Sequence, residues 1–154
     1  MPQANEEVTT ISERPYEKNI GNLDIYESYK RSPYSSTKHS SYFQVYAELF
    51  GQYRDKDITF VEVGVLNGGS LFMWRDYFGP KARIIGIDLN PRAKKWEKEG
   101  FEIHIGSQSD PAFWKAFFES VGPVDVVLDD GGHTYVSKSS LFTVAWHIPT
   151  KAAW

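Results

Sequence analysis

From residue 58 onward, short apolar runs alternate with helical patterns, and this alternation constrains the fold more than any other feature of the sequence. The apolar runs lie at 58–63, 83–87, 101–105 and 124–128. Helical patterns lie at 70–78, 91–99 and 110–120, and another helix is expected to start within 135–146. Alternation at this spacing predicts right-handed βαβ units and a parallel sheet, so the fold class is α/β.

The residues before this alternation have a different character. Residues 1–36 are polar and end in loop-forming chemistry, Arg-Ser-Pro-Tyr-Ser-Ser-Thr at 31–37. We expect a poorly structured lead over 1–36 and a single partial domain over 37–154. Apolar residues at helical spacing, followed by Gly51, predict a helix over about 39–51.

Composition excludes several classes of protein. The net charge of −3 gives no electrostatic reason to expect nucleic acid or an anionic membrane as partner. The sequence has no cysteine, which excludes disulfides, thiolate chemistry and Cys-ligated zinc. No apolar run approaches the ~18 residues that span a bilayer, and the polar N-terminus is not a secretory signal. We therefore expect a cytoplasmic protein.

A glycine-rich turn follows the first strand, in the sequence Glu62-Val-Gly-Val-Leu-Asn-Gly-Gly-Ser70. Parallel sheets bind ligands beyond the carboxyl ends of their strands, and Gly64 and Gly68 let the backbone turn tightly there. A dinucleotide fingerprint would need glycine at position 66, which is Leu, and a phosphate loop would need a lysine. The acid Glu62 also suits a ligand with a positive centre. The alternative is a tight turn that holds no ligand.

Two further strand ends carry polar residues. Asp88 ends the second strand, where an acid can accept hydrogen bonds from both ribose hydroxyls. Its alternative role is to cap the helix that starts at Pro91, although Asn90 can fill that role. Ser107 and Gln108 follow the third strand and would face an adenine ring in this layout. Equally, they could form an ordinary loop before the next helix.

The fourth strand ends in Asp129-Asp-Gly-Gly-His133. Carboxylates without thiolates suit a hard cation such as Mg²⁺. His133 would lie within reach of a bound substrate and could act as a general base near neutral pH. The alternative is that Asp129 and Asp130 cap a following helix. The other histidines are expected to be structural: His39, His104 and His147.

Together these strand ends resemble the class I S-adenosylmethionine-dependent methyltransferases over roughly residues 38–146. They are most similar to the macrocin- and mycinamicin-type sugar O-methyltransferases and to the cephalosporin hydroxylase group that shares their fold. Glu62–Ser70 resembles the cofactor loop, and Asp88 matches the ribose acid. Asp130-Gly-Gly-His133 is similar to an Asp-Gly-Ser-His element in which the Asp binds Mg²⁺ and the His is the base. Lys38–Phe43 resembles a helix that lids the cofactor.

The resemblance implies a Rossmann-like parallel sheet with strand order 3-2-1-4 and helices on both faces. It implies S-adenosylmethionine and Mg²⁺ as cofactors, and methyl transfer to a hydroxyl of a small molecule or sugar-containing natural product. It implies His133 as the catalytic base and Asp130 as the metal ligand. The cofactor-binding residues that it implies are Glu62, Gly64, Asn67, Gly68, Ser70, Asp88, Ser107, Gln108 and Asp129.

The sequence departs from that family pattern at its end. In the family a fifth strand, a Gly-Gly turn and a Glu-Asp pair complete the metal site, whereas this sequence ends at Thr150-Lys-Ala-Ala-Trp154. We therefore expect an incomplete, truncated fold whose fourth strand is an open apolar edge that promotes self-association. A non-catalytic cofactor-binding protein is the alternative function. A nicotinamide-dependent oxidoreductase is disfavoured by Leu66.

Overall fold

The computed structural model describes residues 23–38 and 40–130, and the backbone of a strand at 143–148. These residues form two compact units. The first comprises 23–56 and 67–81, and the second comprises 57–66 and the described residues from 82 onward. No helix in the described ranges is long and apolar enough to cross a membrane.

The first unit is built from three helices around an aromatic core. They are α1 (Asp24–Arg31), α2 (Ser40–Phe50) and α3 (Gly69–Phe78), with a 3-10 turn at Gly51–Tyr53. Tyr46 and Phe50 of α2 pack on Trp74 of α3 with ring centroids 5.0 and 5.5 Å away. All three side chains are fully buried. Aromatic burial of this kind is the main stabilising contribution to the unit.

Helix α1 lies within the segment that the sequence predicts to be a poorly structured lead, and for residues 24–31 that expectation is wrong. Ile25, Ser28 and Tyr29 share one face of the helix and are buried. Asp76 of α3 accepts hydrogen bonds from Ser28 Oγ at 2.5 Å and from Arg31 Nη2 at 2.7 Å. Only two residues of that face are apolar, so the helix is hard to recognise in a polar sequence.

The second unit contains a sheet of four parallel strands in the order β3-β2-β1-β4, which confirms the predicted order. Its strands are β1 (Thr59–Val63), β2 (Arg83–Asp88), β3 (Glu102–Ile105) and β4 (Val124–Asp129). A 3-10 helix (Pro91–Glu99) follows β2, and α4 (Pro111–Val121) follows β3. Asn90 and Asp110 cap these helices through their side chains, each just before a proline, as the capping rules predict.

The core of the second unit lies between α4 and the sheet. Phe117, Phe118 and Val121 of α4 cluster with Val61, Val63, Ile85, Ile87, Val124 and Val127 of the strands. The strand residues are apolar on consecutive positions because a central parallel strand is buried on both faces. This packing holds α4 against the strands of the sheet.

A fifth strand corrects two expectations about the end of the chain. Strand β5 (Thr143–Ile148) pairs antiparallel with β4, in a register that joins Val124 to Ile148 and Asp129 to Thr143. Residues 143–146 are therefore not helical, and β4 is not the open edge through which self-association was expected. A short apolar run has no periodicity that separates strand from helix, which explains the error. Residues 135–142 of the expected helix lie outside the described residues.

Candidate functional site

The four parallel strands end at neighbouring register positions, and the residues just after them form hydrogen bonds with adjacent strands. In register, Val63 lies beside Ile87 and Asp129, and Asp88 lies beside Ile105. Three backbone bonds continue the alignment past the strands: Gly64 N to Ile87 O at 2.8 Å, Gly106 N to Asp88 O at 3.0 Å and Asp130 N to Val63 O at 3.1 Å. The structure thus brings the predicted site residues of the second unit to one edge of the sheet.

Asp88 occupies the centre of that edge, and its carboxylate holds the glycine-rich turn. Oδ2 accepts the main-chain N–H groups of Val65 at 2.9 Å and Leu66 at 3.1 Å, and Oδ1 accepts that of Asn90 at 2.8 Å. A carboxylate has about four acceptor positions, so one remains on Oδ1. One ribose hydroxyl can bind there directly. The contact with two hydroxyls expected from the sequence requires one backbone N–H to leave.

Gly64 and Leu66 of the glycine-rich turn both have a positive φ. Gly64 has φ +92°, and Leu66 has φ +46° with its side chain 77% exposed. A leucine in the left-handed region is strained, because its Cβ approaches the backbone. Since Asp88 binds the Leu66 N–H, the acid at the end of β2 stabilises this strained backbone. Strain of this kind concentrates at ligand-binding sites.

Glu62, which the sequence predicts at the end of the first strand, is the last residue but one of β1. It lies within β1, fully buried, and its register neighbours are Gly86 and Leu128. The role of Glu62 in cofactor binding stays a prediction.

The rest of the glycine-rich segment belongs to the first unit. Gly68 has φ +79° and is the N-cap of α3, and Ser70 is buried in its first turn. Asn67 Nδ2 lies 3.4 Å from Ser35 Oγ. These three residues are ordered by contacts within their own unit, and their participation in cofactor binding stays a prediction.

The sequence did not indicate the segment that covers the start of α3. Ser32 Oγ donates to Gly69 O at 2.8 Å, and a Cβ at Gly69 would lie 2.3 Å from Tyr34 O. Gly69 is required because the backbone of residues 34–35 passes directly over it. The unused signal was the second glycine of the pair, since Gly68 alone satisfies the turn. Lys38, the first residue of the expected lid, is buried, and a position over a cofactor stays a prediction.

The loop after β3 is closed by its own hydrogen bonds. Ser107 Oγ accepts the N–H of Ser109 at 3.1 Å, and a hydroxyl that accepts in this way can still donate its own hydrogen. Gln108 Oε1 is shielded from solvent and accepts no hydrogen bond from the residues that the structure describes. Such an acceptor costs about 1–3 kcal/mol, which a ligand N–H group could offset. A side chain that the sequence did not single out, Trp114, donates from Nε1 to the Gln108 carbonyl at 2.9 Å.

Asp129 and Asp130 end β4 beside the glycine-rich turn, with Asp130 N bound to Val63 O. Across residues 23–38 and 40–130, no three His, Cys, Asp or Glu side chains form a group that could hold a metal ion. Asp130 would therefore need partners from elsewhere to complete a metal site. His133, the predicted base, lies outside the described residues.

His104 confirms the structural role expected from its position in a strand. Its Nε2 lies 2.9 Å from Glu102 Oε1, and its ring packs edge-on against Phe117 with centroids 4.9 Å apart. Arg83 also binds Glu102 through two nitrogens, at 2.8 and 2.9 Å. Burial raises the pKa of Glu102, but the hydrogen bonds from Arg83 and His104 outweigh it, so this pKa lies below its usual value.

The sheet order defines a Rossmann-like α/β fold of the class I methyltransferase type. The structure matches that of the mycinamicin-pathway methyltransferase MycE, solved in complex with Mg and SAH, with a TM-score of 0.57 and 30% sequence identity. The match covers 71% of this chain and 28% of MycE. A second MycE structure, with Mg, SAH and mycinamycin VI, matches with a TM-score of 0.55.

Sequence comparison finds sugar O-methyltransferases. An 8-demethyl-8-alpha-L-rhamnosyl tetracenomycin-C 2'-O-methyltransferase of Streptomyces olivaceus is 34% identical over 100 residues, covering 60% of this chain and 26% of the relative. A mycinamicin VI 2''-O-methyltransferase of Micromonospora griseorubida is 34% identical over 57% of this chain and 23% of its own length. The chain thus spans about a quarter of these relatives. No protein-family model matches it.

Proposed function

We propose that this chain is a cofactor-binding part of an S-adenosylmethionine-dependent O-methyltransferase that acts on a small, sugar-containing molecule. The observation that carries the proposal is the position of Asp88, whose Oδ2 binds the N–H groups of Val65 and Leu66. Dinucleotide and triphosphate sites use free N–H groups of this kind to bind phosphate. Here a carboxylate already occupies them and would repel a phosphate. A nucleoside without phosphate, joined to a positive sulfonium, suits the same edge.

The described residues fit the other parts of that cofactor. Asp88 keeps one acceptor position on Oδ1 for a ribose hydroxyl. Ser107 can donate a hydroxyl hydrogen, and Gln108 Oε1 accepts no hydrogen bond from the described part of the chain, which together match the acceptor N1 and the 6-amino group of adenine. The relatives and the SAH-bound MycE structures support this assignment, as does the shared strand order.

The proposed methyl-transfer chemistry depends on the residues that follow β4, next to the strand ends where the cofactor would bind. S-Adenosylmethionine, when bound, supplies a methyl group on a positively charged sulfur. Asp130 would contribute one carboxylate to a Mg²⁺ site, at which the pKa of a substrate hydroxyl would fall. We propose His133 as the general base for that hydroxyl. Asp88 and the loop after β3 hold the nucleoside in place, so their contribution is to orient the donor.

Isothermal titration calorimetry of the full chain with S-adenosylhomocysteine, ATP and NADH tests the proposal. We expect S-adenosylhomocysteine to bind and the two phosphate-bearing ligands to bind much more weakly. Tighter binding of ATP or NADH would refute the assignment. A methyl-transfer assay on the same preparation then distinguishes an enzyme from a chain that only binds the cofactor.

The proposal also covers the location of the protein in the cell and its partners. We propose a cytoplasmic location and a small-molecule substrate, without nucleic acid or membrane as partner. The net charge of −3 and the absence of cysteine support these points. Fractionation of expressing cells, with a fluorescent fusion as a second measurement, tests the location. Recovery in the membrane fraction would contradict it.

A further inference from the structure

The loop at residues 106–110 is fixed against α4 by two aromatic side chains that follow it in sequence. A Cβ at Gly106 would lie 2.1 Å from Cδ2 of Phe113, so the Phe113 ring packs directly on this backbone. Trp114 Nε1 donates to the main-chain carbonyl of Gln108 at 2.9 Å. The loop between these contacts carries both side chains that could recognise a base, Ser107 and Gln108.

The two aromatic residues are themselves held by the core. The Phe113 ring stacks on Phe117 with centroids 6.0 Å apart, and the Trp114 ring stacks on Phe118 at 5.6 Å. Phe117 and Phe118 belong to the buried cluster between α4 and the sheet. The position of Gln108 is therefore set by packing that extends from the core through Trp114.

We propose that Trp114 is a positioning residue for base recognition, because its bond to the Gln108 carbonyl fixes the loop that presents the Gln108 carboxamide to the 6-amino group of the cofactor base. The inference rests on the proposed function. It accounts for Gln108 Oε1, a solvent-shielded side-chain oxygen that accepts no hydrogen bond from the described residues. A 6-oxo base carries an acceptor where adenine carries the amine, so Gln108 could bind it only after its carboxamide rotates to present Nε2 in place of Oε1.

The test compares the dissociation constants of S-adenosylhomocysteine and of its deaminated analogue S-inosylhomocysteine, measured by calorimetry on the full chain. We expect the wild type to prefer the amino base about tenfold or more, since a mismatched buried acceptor is left unpaired. We expect Trp114→Phe to lower this preference at least threefold. Trp96→Phe removes an indole from the 3-10 helix Pro91–Glu99 and should leave the preference unchanged.

The preference ratio separates positioning from general damage. A variant that is merely less well folded binds both ligands more weakly and keeps their ratio. In the Gln108→Leu background, Trp114→Phe should have no further effect on the ratio, because Trp114 acts through Gln108. Trp114→Met, which also lacks an N–H or O–H donor, serves if Trp114→Phe does not fold, and its ratio should fall in the same way.

The outcomes distinguish a failure of this inference from a failure of the proposed function. No binding of S-adenosylhomocysteine by the wild type overturns the proposed function and this inference together. Wild-type binding without a preference for the amino base overturns the inference alone. An unchanged preference in Trp114→Phe, or an equal effect of that substitution in the Gln108→Leu background, also overturns it while the proposed function stands.

Discussion

The carboxylate of Asp88 lies 2.9 Å from the main-chain nitrogen of Val65, so the acid at the end of β2 shapes the turn that follows β1. Asp88→Asn removes the negative charge and replaces one acceptor oxygen with an N–H donor. We expect binding of S-adenosylhomocysteine to weaken about tenfold or more, since hydrogen bonds to a charged group contribute roughly 1.5–3 kcal/mol. Calorimetry measures the loss.

Asp125→Asn is a matched control for that experiment. Asp125 Oδ2 accepts the main-chain N–H of Thr59 at 2.8 Å, at the opposite end of β1 from the glycine-rich turn. We expect this control to lower stability while affinity for S-adenosylhomocysteine is kept. Equal losses of affinity in both variants would show that Asp88 acts only through stability.

Leu66 provides a test of strain at the site. Leu66→Asn keeps a side chain but favours the left-handed backbone, so we expect the free energy of unfolding to rise by about 0.5–1 kcal/mol. Urea denaturation measures the change. Leu89→Asn is the matched control, because Leu89 is also exposed, at 70%, but does not have a positive φ. A gain in both variants would indicate a general effect of removing exposed leucine.

Gly69 lies under the backbone of residues 34–35, which leaves no space for a Cβ. Gly69→Ala is expected to destabilise the protein by about 1–3 kcal/mol, because a carbonyl must move away. Gly51→Ala, in the same unit, places its Cβ 3.7 Å from Tyr77 Oη, an ordinary contact, and should be nearly neutral. Thermal unfolding of the two variants checks the contrast, and similar midpoints would contradict the packing of this segment.

The ion pair of Arg83 and Glu102 predicts a dependence of stability on pH. The pKa of Glu102 is lowered in the folded state, so its contribution is complete above the unfolded value of 4.5 and is lost as the pH falls through the folded pKa. Stability should therefore decrease below about pH 4.5, by well under 1 kcal/mol from this partly exposed pair. Glu102→Gln should remove this part of the decrease in urea titrations at pH 7 and pH 3.5. An identical pH profile in the variant would exclude Glu102 as a source.

The parallel sheet was predictable because its strands are apolar and its helices carry recognisable caps, as at Asn90 and Asp110. The positions of Gly64, Asp88 and Gln108 at adjacent strand ends followed from that topology. The hydrogen bonds of Asp88 to the turn did not follow, because a backbone N–H leaves no trace in the identity of Val65 or Leu66. Helix α1 was missed since its contact with Asp76 is polar.

The side chain of Lys94 limits how this sheet can grow at its β3 edge. In the described sheet the two edge strands are β5, which is six residues long, and β3, which is four residues long. The Lys94 ammonium binds the Ile103 carbonyl of that strand at 2.7 Å. A short flank with a fixed positive charge is a poor template for an incoming strand. We therefore expect little amyloid-type assembly to start from β3.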